Sequence, residues 1–330
     1  MSPTSPTDTT TPLWKRMLRR RLKFLAWLVA LLAIVLGGSY LFAPQWLMRA
    51  GHLREAMAAK LETHSVQVGD TRWSYYEGGE GPTIVLLHGF TGDKDVWLPV
   101  AALLSAHFHL VIPDLPGWGE SSRVAQGNYD VDAQAARLDA FVQALRLPRF
   151  MLAGHDTGAA IAAAYAADHP EHVAGLALLD AFGLKAGEND FARQARSGHN
   201  PYLFDDRAGH ARLAALEFAQ PPDRPGRFVD VLVERNRRDR DFIQRTFQAL
   251  QAPDQALSLQ QRLDRLTMPV LGLWCHDDRI TDISALDSLR NGLTAASAIS
   301  TSTINGCGHL PMLEKPETTA QILTGFALSH

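Results

Sequence analysis

Short, continuous apolar runs recur along this chain, and helical segments separate them. A run of this kind is typical of a strand that is buried on both faces of a sheet. The predicted strands cover residues 83–87, 109–113, 150–153, 173–179, 270–275 and 298–304. The predicted helices cover residues 97–105, 131–145, 159–168, 282–291 and 316–328. This alternation predicts an α/β fold with a mainly parallel central sheet and helices on both of its faces.

Two regions fall outside this alternation. Val66 and Val68, and then residues 72–76, flank Gly69-Asp70, which predicts a β-hairpin before the first buried strand. Residues 183–266 contain no convincing buried strand and follow a helical pattern. We interpret them as a helical cap inserted between two parts of one core, residues 65–182 and 267–330. Such a cap is expected over the carboxyl edge of the sheet, where α/β folds bind their ligands.

The amino terminus has a different composition from the rest of the chain. Residues 1–23 begin with Ser, Thr and Pro and continue with Lys and Arg, which predicts a disordered basic segment. Residues 24–43 carry no charge, and about 20 apolar residues are enough for a transmembrane helix. Residues 44–64 follow an amphipathic helical pattern, which predicts a juxtamembrane helix.

The basic cluster before the apolar run predicts a single-pass protein with a cytoplasmic N-terminus. The catalytic domain would then lie outside the cytoplasm, in the periplasm. A cleaved signal peptide is the alternative, although the run is longer than the apolar part of a usual signal peptide.

The net charge and the motifs of the sequence limit which ligands and partners are expected. The net charge of −3 gives no reason to expect nucleic-acid binding. The sequence contains no zinc-type ligand spacing and no phosphate-binding loop, so we expect neither a metal nor a cofactor. The expected partners are therefore a small apolar organic substrate and the lipid bilayer, and the oligomeric state stays open.

The strongest indication of catalysis in the sequence is the segment Gly-His-Asp-Thr-Gly at residues 154–158. It lies between a predicted strand and a predicted helix, which is the context of the nucleophile elbow, with Asp156 where serine is usual. A carboxylate is ionised near neutral pH and needs no base to become a nucleophile. Asp156 therefore predicts attack on an alkyl carbon and an ester intermediate. The alternative for Asp156 is a helix N-cap.

Two further residues complete a candidate triad. Asp278 follows the strand at residues 270–275, and His309 follows the last strand. The order nucleophile, acid, histidine is that of the α/β-hydrolase triad. We expect His309 to activate water and Asp278 to orient the imidazole. Asp180, which follows the strand at residues 173–179, is the alternative acid, and Asp277 comes after it.

Backbone groups are expected to complete the site. The N–H groups of Phe90 and Thr157 are predicted to form the oxyanion hole. His88 and His155 are expected to support the structure or the neighbouring catalytic residues rather than to act as bases.

Four motifs carry a family resemblance. They are His-Gly-Phe at 88–90, Asp-Leu-Pro-Gly-Trp-Gly-Glu-Ser at 114–121, the elbow at 154–158 and Gly-Cys-Gly-His-Leu-Pro at 306–311. Residues 65–330 resemble the α/β-hydrolase fold superfamily with a helical cap. The N-terminal anchor and residues 114–121 also resemble membrane-associated bacterial lipases and esterases, which carry serine at the elbow. The aspartate at the elbow instead resembles epoxide hydrolases and dehalogenases.

The resemblance implies a hydrolase, and Asp156 favours a small apolar epoxide or halogenated substrate. Several residues depart from those two groups. Thr91 stands where epoxide hydrolases usually have proline, and Tyr202 is the one cap tyrosine where they use two. Dehalogenases often hold the halide with tryptophan, for which Trp118 is the candidate in a loop near the site. His155 is a further candidate contact with the substrate or the leaving group.

Two other functions are compatible with the sequence. The first is an esterase or lipase-like ester hydrolase with an altered elbow. The second is a non-catalytic binding protein on the same fold. Cys275 and Cys307 are predicted at neighbouring strand ends, where either a disulfide or two buried thiols would fit.

Overall fold

A computed structural model describes residues 13–124 and 126–330. The chain divides into two units, Met1–Ala50 and Gly51–His330. The first unit contains helix α1 (Leu13–Phe42). Within α1, Trp14–Phe42 is long and apolar enough to cross a membrane, which is also true of some signal sequences. The predicted long apolar helix near the N-terminus is therefore present. It begins at Leu13, so the prediction of disorder is wrong for residues 13–23, because Leu, Lys and Arg are good helix formers. Residues 1–12 of that predicted segment lie outside the described residues.

Helix α2 (Pro44–Ala58) follows α1 along the chain. The predicted juxtamembrane helix over residues 44–64 is wrong at its end. Lys60 adopts a left-handed backbone conformation with φ 54°, and strand β1 begins at Leu61. The backbone groups of residues 61–64 pair with β2, so that strand pairing replaces the last predicted helical turn.

Eight strands of the described residues form one sheet in the order β1-β2-β4-β3-β5-β6-β7-β8. Their bounds are β1 (Leu61–Val68), β2 (Thr71–Gly78), β3 (Thr83–Leu87), β4 (His109–Pro113), β5 (Phe150–His155), β6 (Val173–Leu179), β7 (Val270–Cys275) and β8 (Ile299–Ile304). β1 and β2 form the predicted antiparallel hairpin, β2 pairs antiparallel with β4, and the remaining neighbours are parallel. The predicted α/β class with a mainly parallel sheet is confirmed.

Further helices of the second unit lie between these strands or follow the last one. Their bounds are α3 (Leu98–Leu104), α4 (Val131–Leu145), α5 (Thr157–Asp168), α6 (Asp190–Arg196), α7 (Arg207–Glu217), α8 (Gly226–Leu250), α9 (Ala285–Gly292), α10 (Pro311–Glu314) and α11 (Pro316–Ser329). Residues 183–266 contain α6, α7, α8 and the 3-10 turn Gln260–Arg265, and none of these described residues forms a strand.

Apolar side chains pack on both faces of the sheet. In β3, Val85 and Leu87 belong to one buried cluster, whereas Ile84 and Leu86 belong to another. Alternate side chains of a strand point to opposite faces, so a continuous apolar run is needed to fill both sides. Because β3 and β5 to β8 are parallel, their carboxyl ends meet at one edge of the sheet, and the predicted catalytic residues follow these ends.

Candidate active site

The turn between β5 and α5 presents Asp156 at the edge of the sheet. Asp156 has φ 50°, a conformation that is uncommon for a residue with a side chain. Two glycines make the turn possible. A Cβ atom at Gly154 would lie 2.3 Å from the carbonyl oxygen of Gly158, and one at Gly158 would lie 2.3 Å from the carbonyl oxygen of His88. This close approach of strand and helix produces the predicted elbow.

The Asp156 carboxylate lies inside the predicted oxyanion hole. Its side chain does not cap α5, which removes the N-cap alternative. Instead, Asp156 Oδ2 accepts a hydrogen bond of 2.8 Å from the N–H of Phe90. Burial raises the pKa of Asp156, whereas the charge of His309 and the backbone N–H groups of Phe90 and Thr157 oppose that rise. The second oxygen, Oδ1, lies 3.9 Å from His309 Nε2.

His309 lies between two carboxylates. Its Nδ1 is 2.9 Å from Asp278 Oδ2, and its Nε2 faces Asp156 Oδ1. Burial alone would lower the pKa of His309, but the negative charges of Asp278, Asp156 and Glu217 raise it to about 9. At neutral pH the imidazole is therefore a cation, and it lies between the carboxyl groups of Asp278 and Asp156.

The structure distinguishes among the three candidate acids. Asp278 contacts His309, and its Oδ1 accepts backbone hydrogen bonds of 2.7 Å from Ile280 and 3.1 Å from Thr281. Asp180 is fully buried, and its Oδ1 accepts a hydrogen bond of 2.8 Å from the N–H of Cys275. Burial and the neighbouring charge of Asp278 raise the pKa of Asp180 well above its usual range. Asp277 is exposed beside His276.

The two other histidines of the motifs support the site. His155 Nε2 lies 2.6 Å from the carbonyl oxygen of His309, and the two rings are 4.6 Å apart. His88 Nε2 accepts a hydrogen bond of 2.9 Å from the N–H of Leu115, while its Nδ1 lies 2.9 Å from the carbonyl oxygen of Gly89. Both nitrogens of His88 are thus engaged in fixing loops.

A pocket opens directly above Asp156. Its empty volume is about 350 Å³, including the part that is open to solvent. The lining residues come from the strand ends and from residues 183–266; they are Phe90, Asp156, Thr157, Phe182, Phe191, Tyr202, Phe247, Leu250, Gln251, Ile280 and Thr281. Most of these side chains are apolar or aromatic, so the pocket favours an apolar group beside Asp156.

The predicted aromatic contacts separate into two positions. Tyr202 lines the pocket and packs edge-on against Phe90 at 4.9 Å. Trp118 also packs edge-on against Phe90, with ring centroids 5.3 Å apart, and in a tilted arrangement against Phe242 at 4.9 Å. Trp118 is not among the residues that line the described pocket, so its contact with Phe90 supports the pocket wall indirectly.

Sequence reasoning missed Glu217, the last residue of α7. Its carbonyl oxygen accepts a hydrogen bond of 2.6 Å from the N–H of His309. Burial raises the pKa of its carboxyl group to about 7, although the charges of His309 and Arg224 oppose this rise. A single acid at the end of a helix has no motif that could have identified it.

A disulfide joins the loop of the acid to the loop of the histidine. Cys275 and Cys307 are bonded with their Cα atoms 5.0 Å apart, which resolves the two options that the sequence leaves open. The N–H of Asp277 also donates to the carbonyl oxygen of Cys307 at 3.0 Å. These contacts fix the separation between Asp278 and His309.

Glu314 connects the histidine loop to residues 183–266. Its Oε1 accepts a hydrogen bond of 2.7 Å from the N–H of Gly308, and its Oε2 accepts one of 2.9 Å from the N–H of Ala219. The position of the histidine loop is therefore coupled to the end of α7.

Comparisons with known proteins place these features in context. A family model described as the α/β hydrolase fold matches residues 82–316. Human monoacylglycerol lipase ABHD6 is 27% identical over 318 residues, which cover 91% of this chain and 92% of the relative. Lipase 3 of Moraxella sp. (strain TA144) is 28% identical over 248 residues, which cover 74% of this chain and 77% of the relative.

A solved structure is also similar over nearly the whole chain. The crystal structure of a membrane phospholipase A, a bacterial virulence factor, is 37% identical with a TM-score of 0.82. The match covers 93% of this chain and 98% of the phospholipase chain. These relatives are named as lipases or as a phospholipase, so they lend no support to the epoxide or halogenated substrate that Asp156 predicts.

Proposed function

This chain belongs to the α/β hydrolase fold family, and from that premise we propose that it is a membrane-associated hydrolase of apolar, lipid-like carboxylic esters. Lipase relatives that match over most of their own length support this substrate class. The aromatic lining of the pocket suits an acyl chain or another apolar group. Helix α1 would act as an uncleaved anchor that keeps the catalytic domain beside the bilayer, on its extracytoplasmic side.

We assign the nucleophile to Asp156. The observation that carries this assignment is the position of its carboxylate, with Oδ2 on the N–H of Phe90 and Oδ1 facing His309. In the first step Oδ1 attacks the ester carbonyl carbon and the bond to the leaving alkoxide breaks. The alkoxide takes the proton from the His309 imidazolium and leaves as the alcohol. The product on the enzyme is a mixed anhydride of Asp156.

The second step is the hydrolysis of the mixed anhydride, and it begins from a site in which Asp156 no longer carries a charge. Acylation removes the negative charge of Asp156, which is one of the charges that raise the pKa of His309. The neutral imidazole formed in the first step can now take a proton from water. Hydroxide attacks the Asp156 carbonyl carbon, whose oxygen is held by Phe90 and Thr157, and releases the fatty acid anion. The second proton of this step passes to solvent, and Asp156 is again a carboxylate.

Residues 183–266 are proposed as the cap over this site. They supply Phe191, Tyr202, Phe247 and Leu250 to the pocket, while the strand ends supply the reacting groups. Substrate choice would then depend mainly on the cap.

One observation favours a second candidate, the hydrolysis of an epoxide or halogenated compound. Attack on an ester carbonyl develops negative charge on the substrate oxygen, and the N–H of Phe90 is already bonded to Asp156. Displacement at an alkyl carbon forms no tetrahedral oxyanion, because the charge leaves on the halide or on the epoxide oxygen, and Asp156 stays in the hole. Tyr202, which lines the pocket, could protonate an epoxide oxygen.

Intact-mass spectrometry of a His309→Gln variant separates the two candidates. Without the base, the adduct on Asp156 should accumulate after exposure to a p-nitrophenyl ester or to a terminal epoxide of equal chain length. An adduct with the mass of the acyl group supports the ester hydrolase, whereas an adduct of the whole epoxide alone assigns the second candidate. The double variant His309→Gln, Asp156→Asn is the control and should form neither adduct.

Asp156→Ser provides the complementary test. Serine frees the oxyanion hole and restores the usual nucleophile, so ester turnover should be retained or should rise. Epoxide turnover should disappear, because serine gives no alkyl ester that water can cleave at a carboxyl carbon. If wild-type protein turns over either substrate while no adduct forms on Asp156 in the His309→Gln variant, the assignment of the nucleophile is wrong.

A further inference from the structure

Asp139, His169 and His172 form a cluster, here called the Asp139 cluster, that is separate from the catalytic pocket. Asp139 lies on α4, and the two histidines lie in the connection between α5 and β6. One ligand atom from each of the three residues lies within 4.8 Å of the other two. We propose that the Asp139 cluster binds a divalent transition-metal ion of the zinc class.

The carboxylate of Asp139 is arranged as a ligand. Its Oδ2 accepts a hydrogen bond of 2.7 Å from Gln143 Nε2, one turn further along α4. Its Oδ1 is buried and has no hydrogen-bond partner among the described residues, and the nearest cationic candidate, His169 Nε2, is 3.6 Å away. A buried acceptor without a partner is unfavourable. A metal ion between Oδ1 and His169 would satisfy this oxygen.

The orientation of His172 is also fixed by a neighbour. Tyr165 Oη lies 3.0 Å from His172 Nδ1, which leaves Nε2 for a metal. Metal-binding histidines commonly have their second nitrogen held in this way, and such partners set the tautomer and the ring direction. The His169 and His172 rings are nearly parallel, at 8°, with centroids 6.0 Å apart.

The local charge favours a cation over an anion. Glu171 lies between the two histidines in sequence, and its Oε1 is 4.0 Å from His169 Nδ1 and 3.9 Å from His172 Nε2. Glu171 therefore adds a second carboxylate near the two imidazoles, beside that of Asp139. Two nitrogen ligands and one carboxylate oxygen suit zinc, with Zn–N and Zn–O distances of about 2.0–2.2 Å, and water can occupy the fourth position.

The ligand distances require a small adjustment. Tetrahedral zinc with bonds of about 2.1 Å places its ligand atoms about 3.4 Å apart, and Oδ1 of Asp139 is 3.6 Å from His169 Nε2. The third ligand atom, within 4.8 Å of the other two, belongs to His172, whose partly exposed side chain would have to shift slightly toward the ion.

The expected role is structural. A bound ion would connect α4 to the end of α5, the helix that begins at the Asp156 elbow. The sequence expectation of no metal rests on ligand spacing within one segment, and it cannot detect a ligand from another helix.

Zinc titration of the full-length protein tests the proposal. Protein without an affinity tag, in detergent and stripped with EDTA, is titrated with ZnCl2 by isothermal titration calorimetry. We expect one tight site per chain, and at least tenfold weaker binding in His172→Gln and in Asp139→Asn. The matched control is His276→Gln, which removes an exposed histidine that also lies beside an aspartate and should leave the affinity unchanged.

A milder variant separates metal binding from folding. Tyr165→Phe removes only the hydroxyl beside His172 and should weaken zinc binding by about tenfold or more. Saturating Zn²⁺ should raise the thermal midpoint of wild-type protein by several degrees and should not raise that of His172→Gln. The proposal is overturned if wild-type protein and His172→Gln bind Zn²⁺ equally, or if Zn²⁺ leaves the wild-type midpoint unchanged.

Discussion

The carboxyl ends of the strands and the helical residues 183–266 line the same pocket but contribute different properties. The strand ends supply Asp156, Asp278 and His309, which are buried and held by backbone hydrogen bonds or by each other. The helical residues supply aromatic walls and one acid, Glu217. We therefore propose that the chemical step depends on the strand ends, whereas the choice of substrate and the pKa of His309 depend also on the helical residues.

The largest effect should come from a strand-end residue. Asp278→Asn removes the charge that orients and stabilises the imidazolium, and we expect kcat to fall by about 10³–10⁴-fold. Steady-state kinetics at pH 7.5 measure this loss. Asp277→Asn is the control, because it alters the exposed neighbouring carboxylate. If kcat falls by less than tenfold in Asp278→Asn, Asp278 is not the acid that supports His309.

The second effect concerns the stability of the strand ends. Replacing Cys275 and Cys307 together by alanine opens a loop with a sequence separation of 32, and the loss should be about 3–4 kcal/mol in the free energy of unfolding. Denaturant unfolding of the oxidised wild type and the double variant measures it. Equal stability of the two proteins would show that the disulfide contributes nothing to holding the two loops.

Sequence predicted the residues at the strand ends better than those of the helical segment 183–266, for a physical reason. Residues 83–87 and 109–113 are predicted at their observed bounds, because a strand buried on both faces must be apolar throughout. Asp156 and His309 stand in glycine-flanked turns that few other structures require. Phe191 has no such signal, since a pocket residue and a core residue on a helix have the same pattern.

The position of Glu217 and the end of α2 could not be predicted from the sequence either, because both depend on tertiary contacts. Glu217 approaches His309 only through tertiary packing of α7. The end of α2 at Ala58 depends on the pairing of β1 with β2, and a helical pattern that continues past residue 58 conceals it.

The third prediction tests the helical wall. Phe247→Ala on α8 enlarges the pocket and should lower kcat/KM for apolar substrates by about 10–100-fold, since burying a phenylalanine contributes about 1.5–3 kcal/mol. The activity on short and long acyl chains is compared. Gln248→Ala, the exposed neighbour on the same helix, is the control. A fall in kcat/KM of similar size for both variants would contradict the assigned wall.

The smallest effect concerns Glu217. Its negative charge raises the pKa of His309, so Glu217→Gln should lower that pKa from about 9. The first step needs the imidazolium, so kcat/KM should fall as the pH rises through the pKa of His309. In Glu217→Gln this fall should occur at lower pH, with a shift of less than about one unit. Glu188→Gln, an exposed acid of the same segment, should not shift the profile, and a shift to higher pH in Glu217→Gln would contradict the assignment.

The central claim is that Asp156 carries the covalent intermediate, and a single turnover in heavy-oxygen water tests it most directly. Excess enzyme is mixed with substrate in labelled water, and the peptide that contains Asp156 is analysed by mass spectrometry. Hydroxide attack on the aspartyl carbonyl should place one labelled oxygen in Asp156 after turnover. Complete turnover with all of the label in the product and none in Asp156 would contradict the account.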